Sequence, residues 1–337
     1  MKNILITGGA GFIGSNFIKL LLEERDYNVF NLDLMSYAGN PDNLLPFVDF
    51  GNYKFYKGDI ADFKLVSEIM YKEEIDSIIN FAAESHVDRS IQNSYPFMHS
   101  NVEGTLNLLN IAKQFKLTKF LQISTDEVYG SASSGETFDE NSNLQPNSPY
   151  SSSKASADLF VRSYYKTHSV PAIITRSSNN FGPNQYPEKL IPLVITNALE
   201  GKKIPVYGTG ENIRNWIYVE DNCRAILECF EKGKEGEIYN IASGNELDNL
   251  TLIKSILRII GKSEDLIEFV EDRLGHDLRY SINSDKIRNS FNWDEKYNFH
   301  PALEKTINWY LENKIWLQNL KERTNFSEFY KTLYRVD

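Results

Sequence analysis

A glycine-rich turn near the start of the chain is the feature that most restricts its fold. Gly8, Gly11 and Gly14 follow the short apolar run 4–7, and the segment also fits G-x-G-x-x-G when read from Gly9. Between a strand and a helix, these glycines allow a tight turn, close approach of the backbone to a pyrophosphate and close packing. The following helix offers phosphate its first N–H groups and the positive end of its dipole. The turn therefore predicts a dinucleotide-binding unit.

An acidic residue ends the second apolar run. Asp33 stands 19 residues after Gly14. A carboxylate there accepts hydrogen bonds from both ribose hydroxyls and repels a 2′-phosphate, so the sequence predicts NAD rather than NADP. Asp59 and Ile60 follow the third predicted strand. Asp59 either reaches the adenine or caps the next helix, and the sequence leaves both interpretations open.

Short β-branched runs alternate with longer amphipathic segments over the first half of the chain. We predict strands over 4–7, 29–33, 54–58, 77–81, 120–124 and 172–176, and helices over 12–24, 63–74, 102–115 and 151–168. This alternation is typical of a parallel sheet with helices on both faces. The predicted fold is therefore α/β, a Rossmann-type doubly wound parallel sheet with a smaller α/β substrate-binding lobe. We expect the NAD-binding domain to cover 1–178 and the lobe mainly 179–337, with some segments returning to the sheet.

Composition restricts the partners. The net charge of −10, from 36 Lys and Arg against 46 Asp and Glu, argues against nucleic acid or an anionic membrane as the main partner. No apolar run reaches the roughly 18 residues that a membrane span needs, and the first strand begins too early to leave room for a signal peptide. Cys223, Cys229 and five scattered histidines suit neither a disulfide framework nor a metal site. We therefore expect a cytoplasmic protein without a bound metal.

Tyr150 and Lys154 stand four residues apart and share one face of a predicted helix. A free phenol has a pKa of about 10, and a nearby ammonium together with the charge of NAD⁺ would lower it, so that Tyr150 can act as a base. Such a pair is more often a solvated helix face. The glycine turn upstream and the hydroxyl groups of Ser124 and Thr125 at a strand end favour the catalytic interpretation, because ligands bind at that edge of such sheets.

With these motifs the chain resembles the extended short-chain dehydrogenase/reductase family, which includes nucleotide-sugar epimerases and dehydratases, over most of its length. The resemblance implies NAD as cofactor and a nucleotide sugar as substrate. It also implies a homodimer formed through the helices around 102–115 and 151–168.

The residue types at the positions of Asp126 and Glu127 distinguish the reactions catalysed within that family. Epimerases similar to this chain carry small or non-acidic residues there, whereas two carboxyl groups suit an enzyme that also removes a proton and expels water. In the expected reaction Tyr150 takes the proton of the sugar 4-hydroxyl, and Thr125 binds the 4-oxygen. Glu127 then removes the C5 proton while Asp126, kept neutral beside a charged neighbour, protonates the leaving 6-hydroxyl. A solvated acidic loop, a 4-epimerase or decarboxylase, and a non-catalytic NAD-binding sensor remain alternatives.

Further segments, 33–40, 80–90, 214–221 and 275–277, resemble those of nucleotide-sugar 4,6-dehydratases. Besides the glycines Gly8, Gly11 and Gly14, the resemblance implies cofactor contacts from Phe12, Ile13, Asp33, Leu34, Met35, Ser36, Asp59, Ile60, Ala82, Ala83, Ser100, Tyr150, Lys154 and Asn180. It implies substrate contacts from Ser85, Thr125, Asn179, Lys189, Leu190, Pro205, Val206, Tyr207, Arg214, Asn249, Arg273 and His276. Leu274 and Leu278 depart from the proline and arginine usual there.

Overall fold

The computed structural model describes residues 2–323 and has twelve strands. They are β1 (Lys2–Thr7), β2 (Tyr27–Asp33), β3 (Tyr53–Lys57), β4 (Ser77–Asn80), β5 (Lys119–Thr125), β6 (Ala172–Ser177), β7 (Asn179–Phe181), β8 (Ile204–Tyr207), β9 (Ile213–Tyr218), β10 (Ile238–Ile241), β11 (Glu246–Asp248) and β12 (Ile267–Val270). Each of the six strands predicted from the apolar runs is present, with ends that differ by one or two residues.

Residues 2–323 also form twelve α-helices, of which the last three follow β12. They are α1 (Phe12–Glu24), α2 (Phe63–Lys72), α3 (Val87–Gln92), α4 (Tyr95–Phe97), α5 (Thr105–Phe115), α6 (Pro149–His168), α7 (Leu190–Glu200), α8 (Val219–Lys232), α9 (Asn249–Ile260), α10 (Asp285–Phe291), α11 (Phe299–Glu312) and α12 (Lys314–Arg323). Short 3₁₀ turns occupy Pro41–Asn43, Leu45–Phe47, Asp126–Tyr129 and Glu264–Leu266. No helix formed by residues 2–323 is both long and apolar enough to cross a membrane.

Seven parallel strands form the main sheet, in the order β10-β6-β5-β4-β1-β2-β3. Leu5 on β1 pairs with Phe30 on β2 and with Ile78 on β4, and all three side chains are buried. Burial on both faces explains why these strands are nearly continuous apolar runs. Because the strand order reverses between β1 and β4, a crevice opens there at the carboxyl ends of the strands, where ligands of such sheets bind. The predicted doubly wound Rossmann-type fold is confirmed.

Two smaller sheets belong to the second half of the chain. The strands β11, β9 and β7 form one sheet, and β12 and β8 form the other. The helices α7, α9 and α11 pack there through fully buried side chains that include Val194, Leu252 and Leu303. By contrast, β10 pairs with β6 of the main sheet, and α8 packs against α1. The division at residue 178 stays a prediction, and residues 324–337 of the predicted lobe lie outside the described part of the chain.

The helix predicted over 102–115 differs in the structure. The α-helical part begins at Thr105, and a π-helical turn, Met98–Gly104, precedes it. Gly104 permits close packing, because a Cβ at this position would lie 2.5 Å from Ile60 Cδ1. The wider turn places Ser100 at the wall of the crevice, in keeping with the frequent occurrence of π-helical turns at functional sites.

Candidate active site

Two adjoining cavities occupy the crevice at the carboxyl ends of the strands. The glycine-turn cavity lies against the turn after β1, and the arginine cavity contains Arg214 and Arg273. Gln185, Glu188 and Lys189 line both, so the two cavities meet at this segment.

Most of the residues predicted to bind the cofactor line the glycine-turn cavity. Those that do are Gly8, Gly11, Phe12, Ile13, Gly14, Asp33, Leu34, Ser36, Asp59, Ile60, Ala82, Ala83, Ser100, Tyr150 and Lys154. Met35 does not line it and instead donates its backbone N–H to Asp33 Oδ1 at 2.7 Å. Asn180 lines the arginine cavity.

Gly8 and Gly14 let backbone segments around the turn approach one another closely. Gly8 has a φ of 71°, and a Cβ there would lie 2.6 Å from the backbone nitrogen of Ala82. A Cβ at Gly14 would lie 2.4 Å from the carbonyl oxygen of Gly8. No side chain caps α1 at Gly11, and its first turn contains no acidic residue. The turn thus presents an uncapped helix N-terminus to the cavity, which suits a pyrophosphate.

Asp33 is fixed at the end of β2. Its Oδ2 accepts from Ala10 N at 2.9 Å and its Oδ1 from Met35 N at 2.7 Å. Burial raises the pKa of Asp33, and the two backbone hydrogen bonds oppose that rise. The carboxylate therefore has one orientation toward the cavity, where it can bind ribose hydroxyls.

Asp59 does not cap α2. The N-cap is Asp62, whose side chain accepts from Leu65 N at 3.0 Å. Asp59 lines the glycine-turn cavity and accepts from Ala61 N and from His99 Nε2, each at 2.8 Å. The helix-cap interpretation is therefore wrong, and contact of Asp59 with the adenine stays a prediction.

Tyr150 and Lys154 both line the glycine-turn cavity, on the first two turns of α6. Ser148 and Ser151 cap this helix reciprocally, which fixes where it begins. Lys154 Nζ donates to the carbonyl oxygen of Ile123 at 2.6 Å. Burial lowers the pKa of Lys154 to about 8, and the charge of Asp158 opposes this.

The pKa of Tyr150 moves against the sequence-based expectation. Burial raises it above the ordinary value of 10, the charge of Glu127 adds to the rise, and a hydrogen bond with Thr125 lowers it. In the protein alone the pKa of Tyr150 is thus raised, and the lowering expected with NAD⁺ bound stays a prediction.

Asp126 and Glu127 do not form a solvated loop. They begin the buried 3₁₀ turn that follows β5, where Thr125 Oγ1 accepts from Glu127 N and donates to Asp126 Oδ1, each at 3.3 Å. Burial, followed by the charge of Glu127, raises the pKa of Asp126 to about 7. Burial also raises the pKa of Glu127, although the charges of Arg273 and Arg214 oppose it. The structure thus provides a carboxyl group that is partly protonated at neutral pH.

The predicted substrate residues that line the arginine cavity are Asn179, Lys189, Leu190, Pro205, Val206, Tyr207, Arg214, Asn249, Arg273 and His276. Glu127 also lines it, whereas Ser85 lines the glycine-turn cavity. Thr125 and Asp126 line neither cavity.

Three cations converge on the arginine cavity. Arg214 donates to the carbonyl oxygens of Ile213 at 2.7 Å and Asp277 at 2.9 Å, which fixes its guanidinium. Arg273 Nη1 lies 3.6 Å from Asp88 Oδ2, and Lys189 completes the set. Guanidinium groups with forked donors suit a diphosphate.

Buried polar atoms without a hydrogen-bond partner among residues 2–323 also face this site. They include Oδ1 of Asn179, of Asn180 and of Asn249, and Nε1 of Trp216. Unpaired buried groups of this kind are costly, and a bound ligand would satisfy them. Sequence reasoning did not assign Trp216 or several other wall residues to the site, namely His86, Asp88, Gln185, Glu188, Ile253 and Tyr280. His86, Asp88 and Trp216 lie in segments that resemble those of nucleotide-sugar 4,6-dehydratases, and Tyr280 lies seven residues after the predicted substrate residue Arg273, so these were the available signals.

The comparisons with known proteins agree with this geometry. Residues 5–306 match the family model described as GDP-mannose 4,6 dehydratase. The low-salt glycan biosynthesis protein Agl12 of Haloferax volcanii is 52% identical over 309 residues, which cover 92% of this chain and 98% of that protein. The dTDP-glucose 4,6-dehydratase of Streptomyces niveus is 45% identical, over 94% of this chain and 95% of that protein.

Among solved structures, a dTDP-glucose 4,6-dehydratase from Bacillus anthracis in complex with NAD has a TM-score of 0.90 and 48% sequence identity. The match covers 95% of this chain and all of that one. The family expected from the sequence motifs is thereby confirmed. This chain belongs to the GDP-mannose 4,6 dehydratase family, together with the dTDP-glucose 4,6-dehydratases.

Proposed function

We propose that this chain is an NAD-dependent dTDP-glucose 4,6-dehydratase, a hydro-lyase that converts dTDP-D-glucose to dTDP-4-keto-6-deoxy-D-glucose and water. The observation that carries the proposal is the arrangement around Thr125. This residue hydrogen-bonds Tyr150 and also Asp126, while Glu127 faces the arginine cavity. One sugar ring at the junction of the two cavities would therefore meet the phenol of Tyr150 and the carboxyl group of Glu127, with Asp126 one residue away on the same turn.

The glycine-turn cavity suits NAD, because the turn presents the uncapped N-terminus of α1, with its backbone N–H groups, to a pyrophosphate bound there. Asp33 would bind the adenosine ribose, and Asp59 the adenine. When bound, NAD⁺ supplies an acceptor for the C4 hydride and returns that hydride to C6. Lys154 would bind the nicotinamide ribose and hold a positive charge near the phenol of Tyr150.

The arginine cavity would bind the nucleotide diphosphate. Arg214 and Arg273 would grip the phosphates, with Lys189 adding a third positive charge. The remaining predicted contacts, Ser85, Asn179, Leu190, Pro205, Val206, Tyr207, Asn249 and His276, would surround the sugar and the nucleoside.

The first chemical step requires a base for the 4-hydroxyl. Tyr150 would remove that proton, and Thr125 would hydrogen-bond the 4-oxygen as the ketone forms. Because burial keeps the pKa of Tyr150 high in the protein alone, the phenolate forms only when positive charge is close by. Lys154 is the lysine on the same helix face that can provide it.

The second step removes water. The C4 ketone acidifies the C5 proton, which Glu127 would remove, while Asp126 would protonate the departing 6-hydroxyl. Their environments suit these roles, because the pKa of Asp126 is raised to about 7. Three cationic side chains oppose the burial of Glu127 and favour its carboxylate.

We also propose a homodimer and a cytoplasmic location. Exposed apolar side chains cluster on or beside α3, α4 and α6, with Ile91 36%, Tyr95 82%, Met98 54% and Leu159 56% exposed. A second copy would cover such a surface. In support of a reducing compartment, both cysteines are buried, unpaired thiols. The sedimentation behaviour of wild type and a Tyr95→Asp variant tests the dimer, which the variant should weaken.

The experiment that tests the proposed reaction is incubation of the purified protein with dTDP-glucose and NAD. We expect the ultraviolet absorbance of a 4-keto sugar in alkali. Formation of the galactose isomer without a ketone would instead identify an epimerase, and NAD binding without turnover of any nucleotide sugar would identify a sensor. A parallel incubation with UDP-glucose measures the nucleobase preference, for which one methyl group supplies only about 1–3 kcal/mol.

A further inference from the structure

A buried network of hydrogen bonds lies behind the turn that carries the two carboxyl groups. Arg176, on β6, donates from Nε to Asp158 Oδ2 at 2.9 Å and from Nη1 to Tyr129 Oη at 2.8 Å. Tyr129 Oη donates to Asn240 Oδ1, on β10, at 2.9 Å. Each of these four residues is at most 3% exposed. The network therefore joins two strands, a helix and a turn in the interior of the protein.

The network connects the two parts of the proposed active site. Tyr129 is the last residue of the turn Asp126–Tyr129. Asp158 lies on α6, four residues after Lys154 and eight after Tyr150, so the three side chains lie on one helix face. Arg176 bridges the turn and the helix, and it would set their separation.

Stability does not account for this pair of charges. Removing both charges from water costs several kcal/mol per ion, and well-packed apolar residues at such places are often equally or more stabilising. In addition, Asp158 Oδ1 and Asn240 Nδ2 have no hydrogen-bond partner within the described part of the chain. A network that is costly and incompletely satisfied suggests a role in function.

Asp158 also acts on Lys154 through its charge. Burial lowers the pKa of Lys154 to about 8, and the carboxylate of Asp158 opposes that lowering. The other ionisable groups close to this part of α6 are the phenol of Tyr150 and, from the turn after β5, Asp126 and Glu127. Asp126, Glu127 and Asp158 each raise the pKa of Tyr150, whereas of these three only Asp158 affects the pKa of Lys154.

We propose that Tyr129, Asp158 and Arg176 are positioning residues for this reaction. They hold the turn Asp126–Tyr129, which carries the two carboxyl groups, at a fixed separation from Tyr150, and Asp158 keeps Lys154 in its ammonium form. The inference rests on the proposed function, since it assigns the network to the same dehydration.

Replacement of Tyr129 by Phe tests the positioning of the turn. The ring is kept, and the hydrogen bonds with Arg176 and Asn240 are lost. In a single turnover with dTDP-glucose we expect C4 oxidation within about twofold of wild type, with elimination slower by roughly 10- to 100-fold, since small misplacements have effects of this size. NADH absorbance would then accumulate transiently.

The matched control for this variant is Tyr239→Phe. Tyr239 precedes Asn240 on β10, points to the opposite face of the sheet, and accepts a hydrogen bond from Lys234 N at 3.1 Å. Removing its hydroxyl should leave both half-reactions unchanged. Wild-type rates in Tyr129→Phe, or an equal loss of both half-reactions, would overturn the positioning role.

Replacement of Asp158 by Asn tests the charge. The rate of NADH appearance should begin to fall at a pH lower by roughly one unit than in wild type, because Lys154 loses its opposing carboxylate. This variant leaves Arg176 without its ion-pair partner and should be less stable. A double variant, Asp158→Asn with Arg176→Met, removes both charges and should recover thermal stability. Its alkaline limit, the pH at which the rate of NADH appearance begins to fall, should stay lower than that of wild type.

If Asp158→Asn does not fold, the pH dependence of NADH appearance in the double variant tests the role of Asp158. An alkaline limit identical to that of wild type in a folded variant would overturn the role of Asp158. A wrong assignment of the reaction would give a different result from a wrong positioning role. In that case the wild-type protein itself would give neither NADH nor ketone with dTDP-glucose.

Discussion

Replacing Asp126 by Asn should stabilise the fold at neutral pH while abolishing dehydration. Burial and the charge of Glu127 raise the pKa of Asp126 from 3.8 to about 7. Because the folded protein binds this proton more tightly than the unfolded chain, ionisation of Asp126 lowers stability as pH rises from about 4 to about 7. Three pH units, at about 1.4 kcal/mol per unit, correspond to about 4 kcal/mol. The buried amide would cost about 1–3 kcal/mol, which leaves a net gain of roughly 1–3 kcal/mol.

Urea unfolding of wild type and Asp126→Asn at pH 5 and pH 8 measures this difference. The gain in free energy of unfolding should be present at pH 8 and largely lost at pH 5. As a control, Asp139 is exposed, and its hydrogen bonds with Ser142 and Asn141 lower its pKa, so Asp139→Asn should give no gain at pH 8. An equal stability difference between wild type and Asp126→Asn at both pH values would refute the reasoning.

Three further variants test the proposed roles. Glu127→Gln should still oxidise C4 but stall at elimination, so NADH should accumulate without product. Product formation at a near-normal rate would exclude Glu127 as the base that removes the C5 proton. Tyr150→Phe should lose the first oxidation while its circular dichroism spectrum and unfolding temperature stay close to those of wild type; turnover near the wild-type rate would show that another group removes the proton. Asp33→Ala should weaken NAD binding about 10- to 100-fold, the range for a hydrogen bond to a charged group, as measured by calorimetry, and an unchanged Kd would contradict the ribose assignment.

The main sheet was predictable because its signals are local. The runs at 4–7 and 120–124 are mostly apolar and buried, as expected for central strands covered on both faces. The end of α2 was harder to predict. We expected helix through residue 74, but it ends at Lys72, and Glu74 has a left-handed φ of 47°. The π-helical turn Met98–Gly104 was not predictable, since it depends on close packing with Ile60.

The site was predictable where a motif carries the chemistry and not where tertiary packing does. The glycine turn, which is recognisable in the sequence, lines one of the two cavities. Trp216 and Tyr280 line the other cavity because of the direction in which their strand and loop face, which no local pattern specifies. Leu278, which departs from the family pattern, has an exposed side chain, and its carbonyl oxygen accepts from Arg214 at 3.3 Å. That backbone contact does not require an arginine at this position.

The protonation states could not be predicted from sequence. Four-residue spacing suggested that Lys154 lowers the pKa of Tyr150, but burial and the nearby carboxylate of Glu127 raise it in the protein alone. A prediction of the sign requires the depth of burial and the distances to all charges, and these follow from the tertiary structure.

The central claim is that a hydride leaves C4 and returns to C6 while Glu127 and Asp126 remove water between C5 and C6. The most direct measurement is the reaction of dTDP-glucose that carries deuterium at C4, followed by nuclear magnetic resonance of the product. We expect deuterium at C6 of a 4-keto-6-deoxy sugar, with a solvent-derived proton at C5. Deuterium that remains at C4, in either glucose or its 4-epimer, would contradict the central claim.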